Sequence, residues 1–128
     1  MYQIKPVQEK ADQARMCELC KIKYDADLLA YAATYDDGRL IGICQFTMRD
    51  DMGYVYELAA APGVDDFEPM YIMGKAALNF IDLCGIKKAR YLGSDSPLIR
   101  AVGFEMNERE GGLFVDLNGF FEHKCGGK

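Results

Sequence analysis

The chain has 128 residues, half of them hydrophobic, and a formal net charge of −5. That length and composition imply one domain, residues 1–128, with a full core. The acidic balance excludes nucleic acid or an anionic membrane surface as the main partner. No run reaches the roughly 20 apolar residues of a membrane span, and "MYQIKPVQEK" lacks the apolar stretch of a secretory signal. A cytoplasmic protein is expected. Tyr2 to Val7 alternates and predicts a short strand. Gln8 to Ile22 is polar with apolar steps at Ala11, Ala14, Met16, Leu19 and Cys20, which predicts a helix. Three strands follow, Leu29–Tyr35, Leu40–Met48 and Tyr54–Ala61, joined by the turns "DDGR" and "RDDMG" as an antiparallel meander.

Helical spacing then takes over. Phe67, Met70, Met73, Gly74, Ala77, Phe80, Ile81 and Cys84 form a stripe, with Tyr71, Ile72 and Leu78 beside it. That stripe is too wide for a surface helix and predicts a central one, ended by Gly85. Ile86–Gly93 is a predicted strand, Pro97–Val102 a short helix, and Phe104–Arg109 with Leu113–Leu117 a last hairpin around "EGG". Asn118-Gly119 fits either a turn or a break before a small terminal helix.

Five cysteines stand among apolar neighbours, which suits reduced, buried thiols. Cys17 and Cys20 of "CELC" with His123 and Cys125 of "HKC" supply four soft ligands, but the second pair lacks the usual zinc spacing. No metal is expected. Cys20 is expected on the core face with Met16 and Leu19.

The stretch "APGVDDFEPMYIMGKA" joins a strand to the central helix, a place where backbone N–H groups often hold phosphate. Its residues are acidic, however. Asp65-x-x-Glu68 reads as a capping box, or Asp66 as a simple N-cap.

The element order resembles the GNAT N-acetyltransferase superfamily. "YVYELAAAP" is similar to that family's fourth strand, "GKAALNFIDLCGIKKARYL" to its central helix and fifth strand, and "SPLIRAVGFE" to its "AxxxYxxxGF" segment. The resemblance implies an α+β GNAT-like fold. That means a mixed, mostly antiparallel sheet of about six to seven strands with helices on both faces. It also implies acetyl-CoA or another acyl-CoA as co-substrate, lying where the fourth and fifth strands splay apart toward Pro62.

On this chain the resemblance places the thioester and pantetheine against Leu58, Ala59 and Ala60, and the pyrophosphate near Tyr71, Gly74 and Lys75. Glu57 falls where members often carry a glutamate base. The usual tyrosine acid falls at Ile99, which leaves Tyr91, Ser94 and Ser96 as polar substitutes. Pro69 and Ile72 replace the Arg/Gln and first glycine of the family's pyrophosphate loop.

The implied activity is acyl transfer to an amine, on a small molecule or a peptide, with an atypical donor site. The alternative is a non-catalytic GNAT-like binding domain whose acyl-CoA site has been lost. The stretch between Ile22 and Leu29 is too short for the second helix that covers the acceptor in many members. A homodimer is therefore expected.

Overall fold

The computed structural model describes residues 1–121. The elements run β1 (Tyr2–Pro6), α1 (Lys10–Leu19), β2 (Leu29–Tyr35), β3 (Leu40–Arg49), β4 (Met52–Ala60), α2 (Phe67–Leu83), β5 (Lys88–Tyr91), α3 (Pro97–Val102), β6 (Glu105–Asn107) and β7 (Gly112–Asp116). They form one seven-stranded sheet in the order β1-β2-β3-β4-β5-β7-β6. Every neighbouring pair is antiparallel except β4 and β5, which are parallel. A parallel pair needs a crossover, and α2 supplies it.

The wide apolar stripe of α2 explains its central place. Met73, Ala77, Leu78 and Ile81 are fully buried in the main core, with Phe46, Val55 and Leu58 from the sheet and Ile99 and Val102 from α3. Burial of side chains such as Leu78 and Ile81 is worth about 1.5–3 kcal/mol each. The opposite face carries a smaller core, in which Cys17 and Cys20 of α1 meet Ala30, Ile43 and Ala59. Cys44 belongs to one core and its neighbour Ile43 to the other, as the alternation of a strand requires. Helices thus lie on both faces.

Two local features differ from the sequence expectation. Leu19 is 49% exposed, and Cys17 takes its place in the core. The β3–β4 turn uses Asp50 and Asp51 at positive φ (54° and 62°), while Gly53 lies inside β4. A Cβ on Gly53 would come within 2.8 Å of Ile81, so that glycine serves helix–sheet packing and not the turn. Asn118 and Gly119, left open between a turn and a break before a helix, form a turn in which the Phe120 N–H donates to the Leu117 carbonyl; the residues after Phe121 lie outside the described ones.

Among the described residues no helix is long and apolar enough to cross a membrane. No group of three or more metal-ligating side chains occurs among them either. His123 and Cys125, half of the four-ligand set, lie outside the described residues.

Candidate active site

The site begins with a strand that loses one partner. β4 pairs with β5 only through Gly53, Tyr54 and Val55, opposite Ala89, Arg90 and Tyr91. The last bond of the ladder runs from the Leu92 N–H to the Val55 carbonyl (2.8 Å). Beyond it, Leu58, Ala59 and Ala60 keep only their β3 partners Cys44, Ile43 and Gly42. The parting coincides with an irregularity in register. Tyr56 and Glu57 together oppose the single residue Gln45, so β4 bulges there.

The bulge has a visible cause. Val55 and Leu58 both belong to the main core, although strict alternation would place them on opposite faces. One extra residue brings both inward and re-aims Glu57. Its Oε1 accepts the Ser94 N–H at 3.0 Å, across the gap. Tyr91, at the end of β5, reaches into the same gap, and its hydroxyl accepts the Leu58 N–H at 3.1 Å. Gly93 makes this crowding possible. A Cβ there would lie 2.3 Å from Glu57 Oε1 and 2.6 Å from the Tyr91 hydroxyl.

Burial pushes the Tyr91 hydroxyl well above the usual tyrosine range, and the negative charge of Glu57 adds to the shift; the Leu58 N–H opposes it. Tyr91 is therefore protonated at neutral pH. The Ala61 N–H donates to the Ile41 carbonyl on β3. By alternation the Ala60 N–H points the other way, toward the gap, as the Leu58 N–H does.

The turn after β4 closes with the Val64 N–H on the Ala61 carbonyl, Pro62 and Gly63 in the middle and Gly63 at φ 78°. This is a Pro-Gly turn of type II. It delivers the chain to the N-terminus of α2, and there the capping expectation is overturned. Asp66 is the N-cap residue, but its side chain makes no cap hydrogen bond. Asp66 Oδ2 instead accepts the Tyr35 hydroxyl (2.9 Å) and Glu68 Oε2 the Tyr2 hydroxyl (3.1 Å). Each bond pushes its tyrosine hydroxyl upward: it is the largest cause for Tyr35, and comes after burial for Tyr2. The acids are thereby drawn toward β1 and β2 and away from the helix axis. Pro69, in the first turn, has no N–H to offer.

The remaining expected contacts lie further along α2. Tyr71 stacks on Phe67 with ring centroids 5.9 Å apart. Lys75 lies over the Phe120 ring (4.3 Å) and near that of Tyr71 (5.5 Å). Gly74 is buried in mid-helix, where a Cβ would meet Val102 at 2.9 Å and Leu58 at 3.1 Å. That glycine lets α3 and β4 approach the helix. Ile99 is buried, and Ser96 caps α3 by accepting the Ile99 N–H (3.3 Å). The structure thus brings Glu57, Leu58, Tyr91 and Ser94 together at the gap, while Gly74 packs behind the Leu58 side chain and Lys75 lies over Phe120.

Sequence reasoning passed over Gln45. It is 2% exposed, and a lone amide inside "LIGICQFTM" was the available signal. Gln45 Nε2 donates to the Lys23 carbonyl (2.9 Å) and its Oε1 accepts from Gln13 Nε2 (2.8 Å). This buried pair ties β3 to α1 and to the loop after it. Between that loop and the bulge lies a cavity of about 430 Å³, lined by Lys21, Ile22, Lys23, Gln45, Tyr56, Glu57, Leu92 and Gly93.

No protein-family model matches the sequence, and no curated protein matches it. Solved structures share its fold. The N-acetylglutamate synthase from Neisseria gonorrhoeae, complexed with coenzyme A and N-acetyl-glutamate, superposes with a TM-score of 0.70 at 15% identity. The match covers 92% of this chain but only 35% of the synthase. A GNAT family acetyltransferase from Brucella melitensis, in complex with acetyl-CoA, gives 0.70 at 13% identity over 92% of this chain and 89% of that one. The PaiA N-acetyltransferase from Thermoplasma acidophilum, in complex with coenzyme A, gives 0.66 at 12% identity over 89% and 99%. With strand order, central helix and parted β4–β5 pair all in place, the chain has the fold of the GNAT acetyltransferases.

Proposed function

We propose that this protein is an acyl-CoA-dependent N-acyltransferase, acting on an amine that enters from the Glu57 side of the parted strands. The observation that carries the reading is the gap itself. β4 leaves β5 after Val55, and a carboxylate, a phenol and outward-facing N–H groups converge there. Acyl transfer needs each of these: a base for the amine, an acid for the leaving thiolate, and donors for the thioester carbonyl.

In the proposed reaction Glu57 takes a proton from the amine, directly or through a water. The nitrogen lone pair then attacks the thioester carbonyl carbon. Leu58 and Ala60 N–H groups hold the carbonyl oxygens of the donor, the first after the Tyr91 hydroxyl has moved off it. The C–S bond breaks, the sulfur keeps the bonding pair and takes the Tyr91 proton to make CoA a thiol, and the extra proton on the acylated nitrogen leaves through water to restore the Tyr91 hydroxyl. The pyrophosphate is placed at the first turn of α2, where Phe67 and Glu68 offer N–H groups and the dipole adds partial positive charge.

A second reading has its own support. The gap is spanned by the protein's own bonds from Ser94 to Glu57 and from Leu58 to Tyr91, and Pro69 removes a donor from the helix end. A binding domain without donor chemistry would keep such bonds permanently. Calorimetry with acetyl-CoA and with free CoA separates the two. Binding of either supports the enzyme. No heat from either at millimolar ligand leaves the binding domain.

A further inference from the structure

We infer that the acceptor is a small amine that also carries a carboxylate, held by Lys21 and Lys23 with its amino group at Glu57. This rests on the acyltransferase reading and names the substrate class for the same site.

The cavity at the bulge is lined by one acidic residue, Glu57, and by two exposed lysines, Lys21 and Lys23, at its rim. Neither lysine is in an ion pair among the described residues. The Gln45 amide in its wall is already bonded at both ends, so it serves the loop and not a ligand. On a chain of net charge −5, a cavity rimmed by two unpaired cations stands out. Its one acid faces the chemistry. An acceptor with an anionic end matches that order of charges, amine to Glu57 and carboxylate to the lysines. A polyamine would set a second cation against them.

Lys21 has a second peculiarity. The Lys21 N–H donates to the Glu18 carbonyl and the Ile22 N–H to the Cys17 carbonyl, which is the Schellman ending of a helix. The position Lys21 occupies is normally glycine, because it needs a left-handed backbone, and Lys21 has φ 63°. A lysine held there against local preference points to a use for its side chain. The loop is also fixed in place. Gln13 Nε2 and Lys10 Nζ both donate to the Leu28 carbonyl, Gln45 Nε2 to Lys23, and the Asp25 N–H to Gln45 Oε1. The two lysines are therefore anchored at their backbone before any ligand arrives, which lowers the ordering cost of binding.

The chemistry balances as an ordinary acyl transfer. A C–N bond forms, the C–S bond of acyl-CoA breaks, and an N-acyl amino acid and CoA thiol leave. The test compares amines matched in all but the carboxylate, with CoA thiol release as readout: glycine against glycinamide, L-glutamate against L-glutamine, and putrescine. Each carboxylate added near the lysines should raise kcat/KM, glycine exceeding glycinamide by about tenfold or more. Lys21→Gly removes one ammonium and supplies the residue the helix end prefers, so the fold is retained. Combined with Lys23→Ala, it should raise KM for glycine by about tenfold and leave KM for glycinamide where it was. A purely structural role would move both alike. Independently of turnover, glycine should shift the Lys21 to Lys23 backbone amide resonances in the presence of CoA, and glycinamide should not. Preference for glycinamide or putrescine, or an equal response of both KM values, overturns the anionic acceptor while the acyltransferase stands. Absence of acetyl-CoA binding together with absence of thiol release from every amine overturns both.

Discussion

The two halves of β4 do different work. In the first half, Gly53, Tyr54 and Val55 are hydrogen-bonded to strands on both sides, and the helix packs so closely that Gly53 admits no Cβ. In the second half, Leu58 and Ala60 turn their N–H groups to a gap, and side chains from β4 and β5 fill it. The same strand is a fully paired core element at one end and a half-paired surface at the other. The bulge at Tyr56 and Glu57 is the boundary. Substitutions in the first half should therefore read out as stability, and substitutions in the second as chemistry.

The largest effect is expected from Glu57→Gln. If Glu57 is the base, kcat falls by about 10²–10⁴-fold while acetyl-CoA affinity, measured by calorimetry, changes little. The amide still accepts the Ser94 N–H, so the midpoint of denaturant unfolding should barely move. A loss of stability without loss of turnover would break the contrast between the halves. The matching substitution for the first half is Ile81→Ala, in α2 directly under Gly53. Ile81 is fully buried, and its truncation should cost about 2–5 kcal/mol in urea unfolding. Turnover of the fraction that remains folded should stay near that of the parent.

Tyr91→Phe tests the boundary from β5. Loss of the hydroxyl leaves the buried Leu58 N–H without its partner, at a cost of about 1–3 kcal/mol. In return that N–H becomes free for a thioester carbonyl, so acetyl-CoA binding should hold or tighten while kcat falls. The pH dependence has a definite sign. The folded protein holds the Tyr91 proton to higher pH than the unfolded chain does. The stability this contributes is intact below about pH 10, the unfolded value, and is lost as pH rises above it. The stability advantage of wild type over Tyr91→Phe should therefore be flat at neutral pH and shrink above about pH 10. The kcat profile should show no alkaline fall from Tyr91 below that point. An advantage that grows with alkalinity would mean that Tyr91 is ionised in the fold.

Much of this was legible in the residues. Pro97–Val102 and Leu29–Tyr35 stand where pattern places them, and the apolar stripe from Met70 to Ile81 marks the central helix. Those features depend on neighbours within a few turns. The bulge was half legible. "YVYEL" puts apolar Val55 and Leu58 three apart, which a regular strand cannot bury on one face, although the spacing does not say which residue bulges. The partners of the acids were not legible. Asp66 and Glu68 have the spacing of helix caps, but Tyr35 and Tyr2 come beside them only once the sheet has formed, and a phenol wins each carboxylate from the backbone. Lys21 gave no sign either, since nothing local distinguishes a left-handed lysine from a helical one.

The smallest effect, and the one that bears most directly on the donor end, is expected from Asp66→Asn. The amide oxygen keeps the Tyr35 bond, so only charge is removed, beside the N-terminus of α2. The helix loses a favourable anion at its positive end, worth about 0.3–1 kcal/mol. A bound pyrophosphate loses a repelling neighbour, worth about 1 kcal/mol at about 4 Å in water. The two terms oppose each other in sign, which is what makes the variant informative. Without ligand its melting temperature should fall slightly. With acetyl-CoA the upward shift should be equal to or larger than that of wild type, and the Kd should be unchanged or up to about fivefold tighter. A weaker Kd would mean that the carboxylate itself contacts the ligand, and the pyrophosphate would then have to lie elsewhere than the first turn of α2. A melting temperature that falls in this way, in a series where neither wild type nor Asp66→Asn responds to millimolar acetyl-CoA, would mean that the second half of β4 is open for something other than an acyl donor.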